Sequence, residues 1–146
     1  MTVTFTAYGT PVPQGSTRAF VVQGRAVTTS ANKNLRPWRD TMASAARFAM
    51  QEAGAKALTG PVWVSATFVL PRPQSRPKRD RYPDRRPDLD KLARGLLDAL
   101  TGPVLTDDAQ VVGLDVAKRY VGDTDALPEP GVRVELAAAQ DAEVTS

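Results

Sequence analysis

Aspartates crowd one short stretch of this chain. Asp88, Asp90, Asp98, Asp107 and Asp108 all lie in RRPDLDKLARGLLDALTGPVLTDDAQVV, residues 85–112, although the 146 residues carry 19 Lys and Arg against 16 Asp and Glu. Gathered carboxylates repel one another, and a divalent cation relieves that repulsion. The chain contains no histidine and no cysteine. Their absence removes the usual zinc sites, thiol nucleophiles, Ser-His triads and the commonest general base. Hydrolytic chemistry would then fall to carboxylates and to water on an oxygen-ligated ion, Mg²⁺ or Mn²⁺. Such an ion acidifies bound water and stabilises charge on a phosphate oxygen. Asp88 and Asp90 open a helix, and the turn TGPVL can return the chain so that Asp107 and Asp108 meet its polar side. Lys91, Arg94 or Lys118 nearby could neutralise charge developing on a phosphate.

Each aspartate also has a purely structural reading. Asp88, just after Pro87, suits a helix N-cap, and Asp90 in the first turn suits the helix dipole. Asp107-Asp108 can be turn residues before a strand. Asp90, Arg94 and Asp98 at four-residue spacing can form a solvated ion-pair ladder. Capping, however, needs one aspartate where Asp88-Leu89-Asp90 supplies two. Metal site and capping cluster both stay open on the residues alone.

Immediately upstream, RPQSRPKRDRYPDRR holds Arg72, Arg76, Lys78, Arg79, Arg81, Arg85 and Arg86 against only Asp80 and Asp84. Prolines 71, 73, 77, 83 and 87 keep this segment out of helix and central strand. An exposed, extended basic loop is expected, suited to phosphates of a nucleic acid. Tyr82 within it either stacks on an opened base or is simply exposed.

The elements that must position these groups follow from periodicity. Residues 3–9 alternate as a first strand, 19–29 form a hairpin about Gln23-Gly24, and 62–70 and the pair 109–121 and 131–139 are further strands. A first helix runs from Pro37 to about Ala53, with Trp38, Met42, Ala45, Ala46, Ala49 and Ala53 at helical spacing and Trp38 packed into the core. A second runs from Asp88 to about Leu100. Leu89, Leu92, Ala93, Leu96, Leu97 and Leu100 form its apolar arc, opposite Asp90, Lys91, Arg94 and Asp98. The expected fold is a two-layer α/β (α+β) domain over residues 1–139. It has a small mixed sheet with two main helices packed against it, in the order β, hairpin, α, β, α, β, β, and a frayed tail at 140–146. No segment has the length and apolarity of a membrane span or the layout of a signal peptide, so a cytoplasmic protein is expected.

With those residues in view, PDLDKLARGLLDALTG followed by LTDDAQVVGLDVAKR resembles the signature of the RusA family of Holliday-junction resolvases, and GTPVPQGSTRAF resembles the family's opening segment. The resemblance implies a Mg²⁺-dependent endonuclease, of phage or bacterial origin, that acts as a homodimer on four-way DNA junctions. It implies Asp88, Asp90 and Asp108 as metal ligands, with Asp107 beside them. The family's catalytic lysine falls at Arg94 here and its asparagine at Lys91, so a charge-stabilising role shared by Lys91 and Arg94 is expected. Arg18, Arg76, Lys78, Arg79, Arg81, Arg85, Arg86 and Lys118 are expected to contact DNA phosphates without reading sequence. Two other functions fit the residues: a DNA-binding protein without catalysis, and a less selective nuclease of flaps or single strands.

Overall fold

Alternation along the strands becomes a sheet with one apolar face. The computed structural model describes residues 2–15, 17–30, 33–77, 79–123 and 126–139. Strands β1 (Thr2–Tyr8), β4 (Val62–Leu70), β5 (Val111–Tyr120) and β6 (Gly131–Ala138) form a sheet in the order β1-β6-β4-β5, while β2 (Thr17–Val22) and β3 (Arg25–Ser30) form a separate hairpin. Helices α1 (Leu35–Glu52) and α2 (Leu89–Leu100) complete the α+β architecture. Val3, Phe5 and Ala7 of β1, Val62, Val64, Ala66 and Phe68 of β4, and Val132, Val134 and Leu136 of β6 are all buried. Their period-two spacing puts them on one face of the sheet, toward the helices. From α1 come Trp38, Met42, Ala46 and Met50, and from α2 Leu92, Leu96 and Leu100, in the same apolar cluster. Trp38, only 4% exposed, packs α1 into the core as its spacing predicts.

The expected element order holds, the hairpin turn falls where expected, and details differ at two places. The hairpin turns at Gln23 and Gly24, both at positive φ (49° and 77°), the pairing of a type I′ turn whose twist matches the flanking strands. Helix α1 begins at Leu35, two residues before Pro37. Proline is tolerated there because the first turn's N–H groups have no intrahelical acceptor. A single 3-10 turn, Asp108–Gln110, comes before β5, so the strand begins at Val111. The tail expected at 140–146 lies outside the described residues, and among those described no helix is long and apolar enough to cross a membrane.

Topology decides where a site can form. β4 and β5 run parallel, whereas β1–β6 and β6–β4 pairs are antiparallel. A parallel neighbour needs a crossover connection, and the basic loop with α2 provides it. Because β5 is an edge strand, α2 covers it only in part: Val112 and Leu114 remain 59% and 44% exposed. The gap left between the polar arc of α2 and the edge strand is open to solvent. Phe68 of β4 is the largest of the fully buried side chains among the described residues. Phe68→Ala should cost about 3–5 kcal/mol of stability, read as a lower midpoint in urea with an unchanged slope.

Candidate active site

The gap between α2 and β5 is a cleft of about 660 Å³, bounded by Asp90, Lys91 and Arg94 of α2, Asp108 of the 3-10 turn, and apolar side chains that include Leu97, Leu114 and Val116. Two carboxylates and two cations from the expected set therefore share one concavity. Their convergence follows from the helix period. Asp90, Lys91 and Arg94 project from the arc opposite the buried Leu92, Leu96 and Leu100. The chain reversal at residues 101–105 then brings Asp108 back beside them.

Asp88 occupies the N-cap position of α2 in an extended conformation, yet its side chain makes no capping hydrogen bond. The capping explanation for Asp88 thus fails, although Asp88 does not line the Asp90–Asp108 cleft. The adjacent pair divides its labour. Asp107 Oδ1 accepts a hydrogen bond from the Ala109 backbone N–H at 2.8 Å, and Gln110 Oε1 accepts from the Asp107 N–H at 2.9 Å, a reciprocal capping box. Asp107 therefore shapes the turn while Asp108 lines the cleft. Asp98, on the same arc as Asp90, pairs instead with Arg39 of α1 at 3.7 Å. Such a half-exposed pair is worth at most about 1 kcal/mol.

Gln110 is the positioning residue that charge-based reading of the sequence passes over. Its Oε1 also accepts from the Thr106 N–H and hydroxyl at 2.8 and 2.7 Å, and its Nε2 donates to the carbonyls of Leu58 and Gly60, both at 2.9 Å. One side chain thus ties the Asp107–Asp108 turn to the segment that leads into β4. The spacing Asp107-x-x-Gln110 is the sequence signal that could have disclosed it. Gln110→Ala should cost about 2–5 kcal/mol: at roughly 1 kcal/mol net per lost hydrogen bond the five bonds set the upper end, and water replacing the exposed ones lowers it. It should also slow any reaction in the cleft about tenfold, the scale seen when a partner of a ligand is removed. A thermal melt and single-turnover rates check both effects.

The basic loop is more internally bonded than an extended segment would be, which corrects that expectation. Arg76 is only 9% exposed at its side chain and pairs with Asp84 at 2.8 Å and Asp80 at 3.6 Å. Arg72 donates to the carbonyls of Pro77 and Asp80 at 3.0 and 2.8 Å, and its guanidinium lies 4.4 Å from the Tyr120 ring centroid. These two arginines fold the loop back on itself together with backbone turns, in which the N–H groups of Arg76, Asp80 and Asp84 donate to the carbonyls of Pro73, Pro77 and Tyr82 at 3.0 Å each. Lys118 has a similar part, its Nζ donating to the carbonyls of Arg85 and Pro87 at 2.9 Å each. That places Lys118 as the strut between β5 and the entry to α2. Arg79, Arg81, Arg85 and Arg86 are exposed, as a phosphate-binding surface requires. Tyr82 is 54% exposed, with the Arg81 and Arg119 guanidinium groups each 5.5 Å from its ring centroid. Arg18 lies in β2 opposite Thr29, its side chain outside the described part of the structure, and Lys78 also falls outside the described residues.

The Arg76–Asp84 contact gives the loop a pH response. The hydrogen bond from Arg76 and its positive charge hold the Asp84 carboxyl below its ordinary value of 3.8, and raise the Arg76 guanidinium in turn. A depressed carboxyl pKa stabilises the folded chain above the unfolded value, and that contribution is lost as pH falls through the folded one. Wild type should therefore melt above Asp84→Asn at neutral pH, with the gap closing only as pH drops below about 3.8. A pH series of thermal melts reads this directly.

Among the described residues, no three His, Cys, Asp or Glu side chains form a ready-made metal cage. Asp90 and Asp108 line the same cleft, and one or two carboxylates are the protein share that a largely hydrated Mg²⁺ ordinarily takes.

Carboxylates and cations thus share one open cleft on an α+β domain, and the loop that leads into α2 exposes Arg79, Arg81, Arg85 and Arg86. The family described as Endodeoxyribonuclease RusA matches this chain over residues 9–136, and the chain belongs to that family. It is also 30% identical over 128 residues to a Bacillus subtilis (strain 168) protein named "Uncharacterized protein YqaN", an alignment that covers 81% of this chain and 87% of the relative.

Proposed function

We propose that this protein is a Mg²⁺-dependent endodeoxyribonuclease that cuts branched DNA at four-way junctions, as a homodimer, in recombination and repair within a bacterial cytoplasm. The observation that carries the reading is the meeting of Asp90 and Asp108 with Lys91 and Arg94 in one cleft, in a member of the RusA family. Asp90 and Asp108 would hold the ion, with Asp88 at the same helix entrance available to join them once a phosphate is present. Mg²⁺, with Mn²⁺ as a substitute, would supply an acidified water and charge stabilisation at the phosphate oxygens.

The chain's own groups account for the rest. Lys91 and Arg94 neutralise charge on the phosphate oxygens as a water oxygen bonds to phosphorus and the ester P–O bond breaks. Arginine keeps its proton at any working pH, so Arg94 acts as a fixed charge and does not shuttle protons. Arg79, Arg81, Arg85 and Arg86 hold neighbouring phosphates, which sets position without reading bases. Two copies about a two-fold axis would place two such clefts on the two equivalent strands of a junction.

That no three carboxylates converge among the described residues is what favours a second reading, a DNA-binding protein without catalysis. A substrate panel separates these: a four-way junction, a flap and a linear duplex, each incubated with Mg²⁺. Paired nicks on the junction at a rate well above the other substrates support resolution. Equal cutting of flap and junction means a less selective nuclease, and binding without nicks at any Mg²⁺ or Mn²⁺ concentration means the non-catalytic reading.

A further inference from the structure

A second cavity, of about 250 Å³, is lined in part by Arg85, Arg86 and Pro87, the residues that lead into α2. Five prolines form much of its wall: Pro11 from the N-terminal segment, Pro71 and Pro73 after β4, and Pro83 and Pro87 before α2. Tyr120, at the end of β5, is a further wall residue and is 4% exposed. Its ring is braced by the Arg72 guanidinium, 4.4 Å from the centroid. Arg85 and Arg86 stand at the same cavity and are exposed to solvent.

We infer that this cavity receives one unstacked nucleobase of the DNA strand held at the neighbouring cleft, and so sets which base is preferred beside the cut. The inference rests on the proposed nuclease reading and adds a specificity subsite to it. Several features point to a base. The space would hold roughly eight waters at about 30 Å³ each, suited to a flat ring and too small for a folded peptide segment. Proline rings and a braced tyrosine are rigid apolar surfaces that lose little entropy when a ring packs on them, and stacking of bases on such surfaces tolerates any sequence. Polar groups at the wall, Ser75 and Thr10, can meet the edge of a base and so discriminate between bases. The two arginines can hold the phosphates on either side of an extruded nucleotide.

Position supports the same ligand. Pro87 lines the cavity and immediately precedes Asp88, and α2 then carries Asp90, Lys91 and Arg94 into the catalytic cleft. The strut from Lys118 to the carbonyls of Arg85 and Pro87 fixes the segment shared by both. A base near the point where strands exchange is also the cheapest to extrude, because its stacking is already interrupted.

The test pairs a change in the DNA with a change in the cavity. Junctions carrying a single abasic position, moved stepwise across the nucleotides flanking the cut, are compared for wild type and Ser75→Phe, with Ser75→Ala as a variant that leaves the space open. Wild type should lose about tenfold in kcat/KM at one abasic position and little at the others. Ser75→Phe should lose about the same amount on the intact junction, and then be indifferent to the abasic substitution at that position. Ser75→Ala, which keeps the space open but removes one edge contact, should retain the wild-type abasic penalty at that position while narrowing the preference among the four bases there. Non-additivity of this kind marks a direct contact between base and cavity. Equal abasic penalties in wild type and Ser75→Phe, or no sensitive position in wild type, would overturn the inference while leaving the nuclease reading intact. No cleavage of any branched substrate by wild type would instead defeat the nuclease reading.

Discussion

Asp90→Asn should lower Mg²⁺-dependent cleavage of a four-way junction about a thousandfold while junction binding in Ca²⁺ stays within about twofold of wild type. The size follows from the position of the side chain. Asp90 lines the cleft beside Lys91, Arg94 and Asp108, so its carboxylate is one of two that could hold a cation there. Losing several kcal/mol of transition-state stabilisation corresponds to about three orders of magnitude at 1.36 kcal/mol per tenfold. The fold should hardly notice, because Asp90 is exposed and forms no ion pair among the described contacts. Binding should persist because exposed arginines, not the cleft carboxylates, supply most of the attraction to phosphates. Undiminished cleavage by the variant would remove Asp90 from the site.

The adjacent aspartates should respond in opposite ways. Asp108→Asn should lose about a thousandfold in cleavage with a melting temperature close to wild type, since Asp108 lines the cleft. Asp107→Ala should lose about 1 kcal/mol of stability, the usual cost of an N-cap, and keep cleavage within about tenfold. The contrast follows from the hydrogen bonds of Asp107 to the 3-10 turn, which commit its carboxylate locally. Thermal melts and single-turnover rates on the two variants decide it. If Asp107→Ala proves the catalytically dead one and Asp108→Asn the merely unstable one, the assignment of roles is reversed.

Much of the fold was legible because apolar spacing carries it. The Leu92, Leu96 and Leu100 stripe, the alternation in β4 and the Gln23-Gly24 turn each translate one local rule into one element. The candidate site was legible for a related reason: Asp90, Lys91 and Arg94 are fixed on one arc by the same helix period that buries the leucines. What the sequence concealed depends on contacts that no helix or strand period carries. Nothing local says that Arg76 will fold inward onto Asp80 and Asp84, because a basic residue among prolines looks like a solvated one. Likewise the bonds from Lys118 to Arg85 and Pro87 exist only once β5 lies beside the entry to α2. Charge alone therefore did not disclose that Arg76 and Lys118 also hold the loop and the helix entry in place. Asp107 and Asp108 are indistinguishable by type, and only the pattern Asp107-x-x-Gln110 separates the one that caps from the one that faces the cleft.

The central claim is that the cleft between α2 and β5 hydrolyses DNA with a divalent ion held by Asp90 and Asp108. The most direct measurement is a single-turnover reaction of the wild-type protein on an end-labelled four-way junction, divided between Mg²⁺ and EDTA. Symmetric paired nicks in Mg²⁺, absent in EDTA and restored when Mg²⁺ is returned in excess, are the expected result. Equal cutting in EDTA, or an intact junction at every Mg²⁺ and Mn²⁺ concentration despite binding, would contradict it.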